Sequence, residues 1–136
     1  MRIAISLCLL LLIVGCAGPR VGGVRVANLN KWYIPTESEL QRAPVPIDQV
    51  AFFEKAPQDR PYKVIGHVAP HPEAFDTYPD WVKAIRAAAS LHGADAVFID
   101  SQDVKESWFV KFNTLRARGG KEMQTSYRAK AIIWEK

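Results

Sequence analysis

Three groups of side chains in this sequence are of the types that chemistry needs. His67 and His71 are four apart, with Glu73 and Asp76 close behind, a possible metal-ligand set. Such a site needs its donors converging at about 2.0–2.2 Å. A strand followed by prolines at 70 and 72 does not aim the two imidazoles at one point. We read them as surface or loop-packing histidines, with a metal-binding protein centred on His67 and His71 as the alternative. Asp95, Asp100 and Asp103 form the second group. As general acid and base they would need a pocket and a base or nucleophile partner. Asp95 is better explained locally, its oxygen bonding backbone N–H groups of the turn after Gly93. Ser101 stands outside any nucleophile-elbow pattern, and the sequence holds no His-Glu-x-x-His, P-loop or dinucleotide fingerprint. The chain therefore reads as a non-enzyme with no cofactor, a hydrolase using the aspartates being the weaker alternative.

The third group is basic: Lys105, Lys111, Arg116, Arg118 and Lys121, with Trp108 and Phe109 among them. An anionic partner would suit Lys111, Arg116, Arg118 and Lys121: a lipid phosphate or an acidic envelope protein. A solvated hairpin whose charges stop an edge strand from pairing with other chains needs the same pattern, and we favour that reading.

The N-terminus supplies an address. Met1-Arg2 gives a positive start, and Ile3 to Val14 carries no charge. A run of about a dozen apolar residues is short for a bilayer span, which takes roughly 20, so residues 1–15 read as a leader. Its end, Ile13-Val14-Gly15-Cys16, resembles the bacterial lipobox rather than an ordinary signal-peptidase site. That resemblance implies that Cys16 is diacylated on sulfur, becomes the first residue after cleavage and is usually N-acylated as well. A plain signal peptide with an accidental cysteine is the competing reading. Acyl chains contribute about 0.8 kcal/mol per buried CH₂, so two or three anchor firmly. Ala17 fits outer-membrane rather than inner-membrane sorting, which would place the domain in the periplasm.

Cleavage also removes Cys8, leaving 121 of the 136 residues and a single, lipidated cysteine. No disulfide can then form within the domain, so burial alone must hold the fold, which about 100 ordered residues can manage. The formal charge falls from +4 to +3 when Arg2 leaves; so mild an excess does not argue for nucleic acid.

The elements follow from periodicity. All nine prolines lie between Pro19 and Pro79, and residues 16–46 read as a lipidated N-terminus and Pro/Gly-rich tether, mostly extended. Within it Trp32-Tyr33 is expected to pack back onto the domain of residues 47–136. Val50 to Phe53 is a short strand. Tyr62 to Val68 is a second, with Tyr62, Val64 and Val68 on one face, and Gly66 marks a bulge or a close approach by a helix. Thr77 caps a helix to about His92 with Asp80 three residues on. Trp81, Ala84, Ile85, Ala88 and Leu91 form its apolar stripe, Lys83, Arg86 and Ser90 point elsewhere, and Gly93 is the left-handed stop. Ala94 to Ile99 is the next strand, joined to a parallel neighbour by a right-handed crossover. Val104 to Leu115 suits a strand better than a helix, Arg118 to Lys121 reads as the hairpin turn, and Thr125 to Trp134 closes the domain. The fold class is α/β (α+β): one main helix on a mixed sheet of four or five strands, in β-β-α-β-β-β order.

Pro61-Tyr62-Lys63-Val64-Ile65-Gly66, the alanine-rich helix, Gly93-Ala94-Asp95-Ala96-Val97 and the closing Ala129-Lys130-Ala131-Ile132-Ile133-Trp134 resemble the YbjQ-like family of small bacterial proteins. That family takes in the RcsF-type stress-sensor lipoproteins and relatives of unknown function. The resemblance covers roughly residues 50–134 and implies a compact α/β domain without an established enzymatic role. Some members carry a heavy-metal label and some assemble into rings, so an oligomer is an expectation of the resemblance. The stress sensor's fold is held by disulfides that this chain cannot make, so its particular task is not carried over. The expected protein is a lipid-anchored binding or sensing module of the bacterial envelope.

Overall fold

The alternation of Val97 and Ile99 with Ala129, Ala131 and Ile133 builds one apolar sheet face, and an alanine-rich helix covers it. The structure is a computed structural model. It describes residues 18–36, 42–72, 74–113 and 116–136, and side chains in those ranges other than from 107 to 118. In chain order the elements are β1 (Arg20–Val21), β2 (Val24–Arg25), α1 (Val26–Trp32) and β3 (Tyr33–Pro35). A 3-10 turn (Ile47–Gln49), β4 (Ala51–Phe53), β5 (Tyr62–Val68), α2 (Tyr78–Leu91), β6 (Ala96–Asn113) and β7 (Arg116–Trp134) follow. β1 and β2 make a small hairpin, and the other five strands form one mixed sheet in the order β3-β5-β7-β6-β4. The expected class is therefore observed: one main helix on a small mixed sheet. The order differs in detail, with three sheet strands before the main helix and two after it.

α2 begins as its sequence dictates. The Thr77 side chain accepts from the Asp80 N–H at 3.4 Å. In return its hydroxyl donates to the Asp80 carboxylate at 2.8 Å, so the box closes side chain to side chain rather than onto the Thr77 N–H. Gly93 ends the helix at φ +71°; a Cβ there would stand 2.6 Å from the Ala43 carbonyl oxygen as well as in the disfavoured left-handed region. The buried surface of α2 is wider than the expected stripe, because Ala87, Ala89 and Ser90 are buried too. Ser90 satisfies its hydroxyl on the Ala87 carbonyl at 2.7 Å, and Arg86 caps the carbonyls of Val50 and Ile47 at 3.0 and 3.2 Å. Further cover for α2 comes from the segment expected to be a tether, whose Val45 N–H bonds the Ser90 carbonyl at 2.9 Å. Residues 20–36 instead fold: Leu29 of α1 is fully buried, Tyr33 nearly so, and β3 adds an edge strand to β5. Trp32-Tyr33 does pack back, as aromatic bulk requires.

β5 and β6 run parallel, but they are not neighbours. β7 lies between them, antiparallel to both. Its small Ala129 and Ala131 sit in the cluster that holds Ala87, Ala88 and Ala89 of α2. On the opposite face Ala96, Phe98 and Ile132 are buried beneath Phe53, Tyr62, Val64 and Trp134, with the Arg60 guanidinium 4.8 Å from the Trp134 ring. Val68 does not share a face with Tyr62 and Val64. A register shift between Val64 and Gly66 inverts the alternation, so Ile65 and Val68 join the helix side. The close approach at Gly66 comes from the Tyr33 ring of the neighbouring strand rather than from a helix: a Cβ on Gly66 would overlap it. Gly66→Ala should therefore cost about 1–3 kcal/mol of stability through overpacking, read as a lower urea midpoint with unchanged slope. A neutral result would mean that the ring moves aside freely.

Candidate functional site

β6 and β7 do not stop where the sheet stops. β5 pairs with β7 only as far as Val68 opposite Ala129, and β4 pairs with β6 only as far as Phe53 opposite Phe98. Past that limit residues 101–113 and 116–128 pair, among the described residues, only with each other, an antiparallel arm roughly 40 Å long at strand rise. The expected strand over Val104–Leu115 is present as far as Asn113. The turn expected at Arg118–Lys121 is not: Gly119 and Gly120 lie inside the ladder, opposite Val110 and Phe109. β-branched and aromatic residues opposite them favour continued pairing over reversal.

Register sorts the arm into two faces. Val104, Trp108, Val110 and Phe112, with Met123 and Thr125 across from them, occupy positions on the side that carries α2 in the body. Val104 is 48% and Met123 64% exposed. Asp103, Lys105, Lys111, Arg116 and Arg118 fall on the other side. The structure therefore places Lys111 opposite Arg118 and Arg116 on their face, while Lys121 falls on the other face and pairs with Glu106 at 3.4 Å. The arm's base is braced by aromatics: Tyr127 packs edge-on against Tyr78 and Trp81, and Trp81 continues through Phe75 to Trp32.

The three aspartates are not brought together. At about 3.3 Å per residue, Asp95 and Asp103 stand some 26 Å apart along the strand. Each has its own contact: Asp100 with Lys130 at 3.2 Å, Asp103 with Lys105 at 3.5 Å. Asp95 does not serve the local turn. Its Oδ2 accepts the Trp134 N–H at 2.9 Å and its Oδ1 takes Arg42 at 3.4 Å, clasping the end of β7 and residue 42 to the start of β6. Ser101 sits in the arm opposite Arg128. His67 lies in β5 opposite Lys130 and Ile34, and His71 lies in the loop beyond the strand. Among the described residues no three His, Cys, Asp or Glu side chains form a metal-holding group; Glu73 lies outside them, as do Ile13, Val14, Gly15 and Cys16. No described helix is long and apolar enough to cross a membrane.

A cleft of about 540 Å³ lies beside the arm's base, lined by Asn28, Lys31, Trp32, His71, Lys105 and Arg128 among others. A second depression, lined by Arg20 and Arg25, shares Asn28, Trp32 and His71 with it. Sequence reasoning missed this region because residues 17–46 read as tether. The signal available was Val26, Leu29 and Tyr33, spaced three and four apart like one face of a helix.

The chain matches no family model, no curated protein and no solved structure, so the YbjQ-like resemblance rests on the residues quoted for it.

His92 follows α2, its N–H bonding the Ala89 carbonyl at 3.1 Å, and its ring stacks on Tyr33 with centroids 3.7 Å apart and planes 5° from parallel. Among the described residues His92 Nε2 is buried without a hydrogen-bond partner. Burial lowers the His92 pKa from its ordinary 6.5 and pushes the Tyr33 phenol from 10.0 up to about 12. Below pH 6.5 the unfolded chain protonates its imidazole before the folded one does, so stability falls as pH drops through that value. Above pH 10.0 the unfolded phenol ionises first, so stability is lost as pH climbs towards 12. Thermal midpoints should decline on both sides, with His92→Phe flattening only the acid limb and Tyr33→Phe only the alkaline one. A limb unchanged in its variant would assign that loss to other groups.

Proposed function

We propose that this protein is a non-enzymatic interaction module of the bacterial envelope, anchored at the outer membrane through acylated Cys16 with its domain in the periplasm, and that the β6–β7 arm is its contact element. The arm carries this reading. A two-stranded ribbon that leaves its sheet is marginal in water by itself, and this one holds apolar residue types at successive register positions of one face and, among the described residues, has no further strand paired to either edge. A further strand or an apolar protein surface laid on that row would supply the missing burial. The separation of Asp95, Asp100 and Asp103 weighs against the hydrolase alternative. The metal alternative would have to assemble around His67 on the sheet and His71 in the following loop.

A photocrosslinking residue placed at Val104 or Met123 in intact cells should capture a discrete envelope partner identifiable by mass spectrometry. The same residue at Asp59, in the loop at the far end of the sheet, should capture none. Adducts from Asp59 alone would overturn the assignment of the arm.

A further inference from the structure

We infer that the face around the β1–β2 hairpin, α1 and the arm's base rests on the phosphate-bearing surface of an anionic bilayer, so that the domain lies on its membrane rather than hanging from it. The inference builds on the Cys16 anchor proposed above. β1 begins at Arg20, four residues after the cysteine that would carry the lipid. Four residues span at most about 14 Å fully extended. The folded body therefore starts within the headgroup zone, and whatever surrounds Arg20 must face it.

What surrounds it is basic. Arg20 and Arg25 are paired across the small hairpin and line the depression that joins the cleft holding Lys31, Lys105 and Arg128. All five cations are exposed. Among the described residues the one carboxylate lining these two hollows is Asp103, held by Lys105 at 3.5 Å. Clustered cations close to an anionic leaflet are attracted over about a Debye length, and Trp32 beside them is the aromatic type that settles at headgroup level. Lys111, Arg116 and Arg118 hold register positions on the same ribbon face as Lys105, as does Glu122. The segment 107–121 holds no acidic residue at all. A lipid anchor combined with a basic patch is the two-signal arrangement that fixes a peripheral protein on a membrane. With the acyl chains supplying attachment, the patch supplies orientation.

The full-length acylated protein is labelled at Asn28→Cys or at Asp59→Cys and reconstituted into vesicles of phosphatidylcholine, alone or mixed with phosphatidylglycerol. Energy transfer to a headgroup-attached acceptor is then compared. On phosphatidylglycerol vesicles the Asn28 label should transfer more strongly than the Asp59 label. That difference should collapse at high salt and in the Arg20→Glu, Arg25→Glu, Lys31→Glu triple variant. Equal transfer from both sites, or a difference insensitive to salt and to charge reversal, overturns the orientation. The mass of the membrane-extracted product separates this failure from that of the premise: an unacylated Cys16 would overturn the anchor, whereas acylation without orientation would overturn this inference alone.

Discussion

The close seating of α2 on the central strand is the constraint that the rest of this structure obeys. Ala84, Ala87, Ala88 and Ala89 of the helix are fully buried, and Ala129 and Ala131 of β7 share that core. Small side chains on both partners let a helix approach a sheet closely, and they leave little room for repacking. Larger side chains fill the rest of the interior, with Ile85 and Val50 fully buried and Trp81 nearly so. The same demand explains why the N-terminal segment folds back, since a helix buried on several sides needs more than a sheet to cover it. α1 and the β1–β2 hairpin provide that cover, and Gly22 lies where an added Cβ would meet Ala87 and Ile47 at 3.3 Å.

Much of this was legible in the sequence between residues 50 and 134. Thr77 and Gly93 mark the helix ends by capping chemistry, and the strands over 62–68 and 125–134 declare themselves by alternation. What alternation cannot give is a change of parity. The irregularity at Gly66 moved Val68 to the other face, and the one after Ile99 made a single long strand read as two. The missed N-terminal elements fail for a different reason. A helix of seven residues is too short to raise a periodic signal above neighbouring glycines and prolines, and its existence is decided by tertiary burial of Leu29 and Tyr33.

The arm was hidden for a reason of topology. That residues 101–113 are strand follows from their composition. That they form a free-standing ribbon depends on where β4 and β5 run out, which is a long-range fact. The glycine pair at 119–120 then misled, because glycine signals reversal only where the ladder gains nothing by continuing. Both outer strands of the sheet, by contrast, are three residues long, and Pro35 blunts one of them, so the body offers little edge for pairing. Among the described residues, strand edges without a partner are concentrated in the arm.

The β6 irregularity has one more result. Ile99 opposes Ala129 and Ser101 opposes Arg128, which makes Asp100 a supernumerary residue at the point where the arm departs. Bulges bend their strand and tighten its twist, so Asp100 works as an aiming joint. Deleting it would restore a regular ladder with every later pair intact and remove the ion pair with Lys130, leaving the two faces of the arm as they are and changing where the ribbon points. Direction and chemistry in this arm are thus written in separate places, and a lineage could swing the one without rewriting the other.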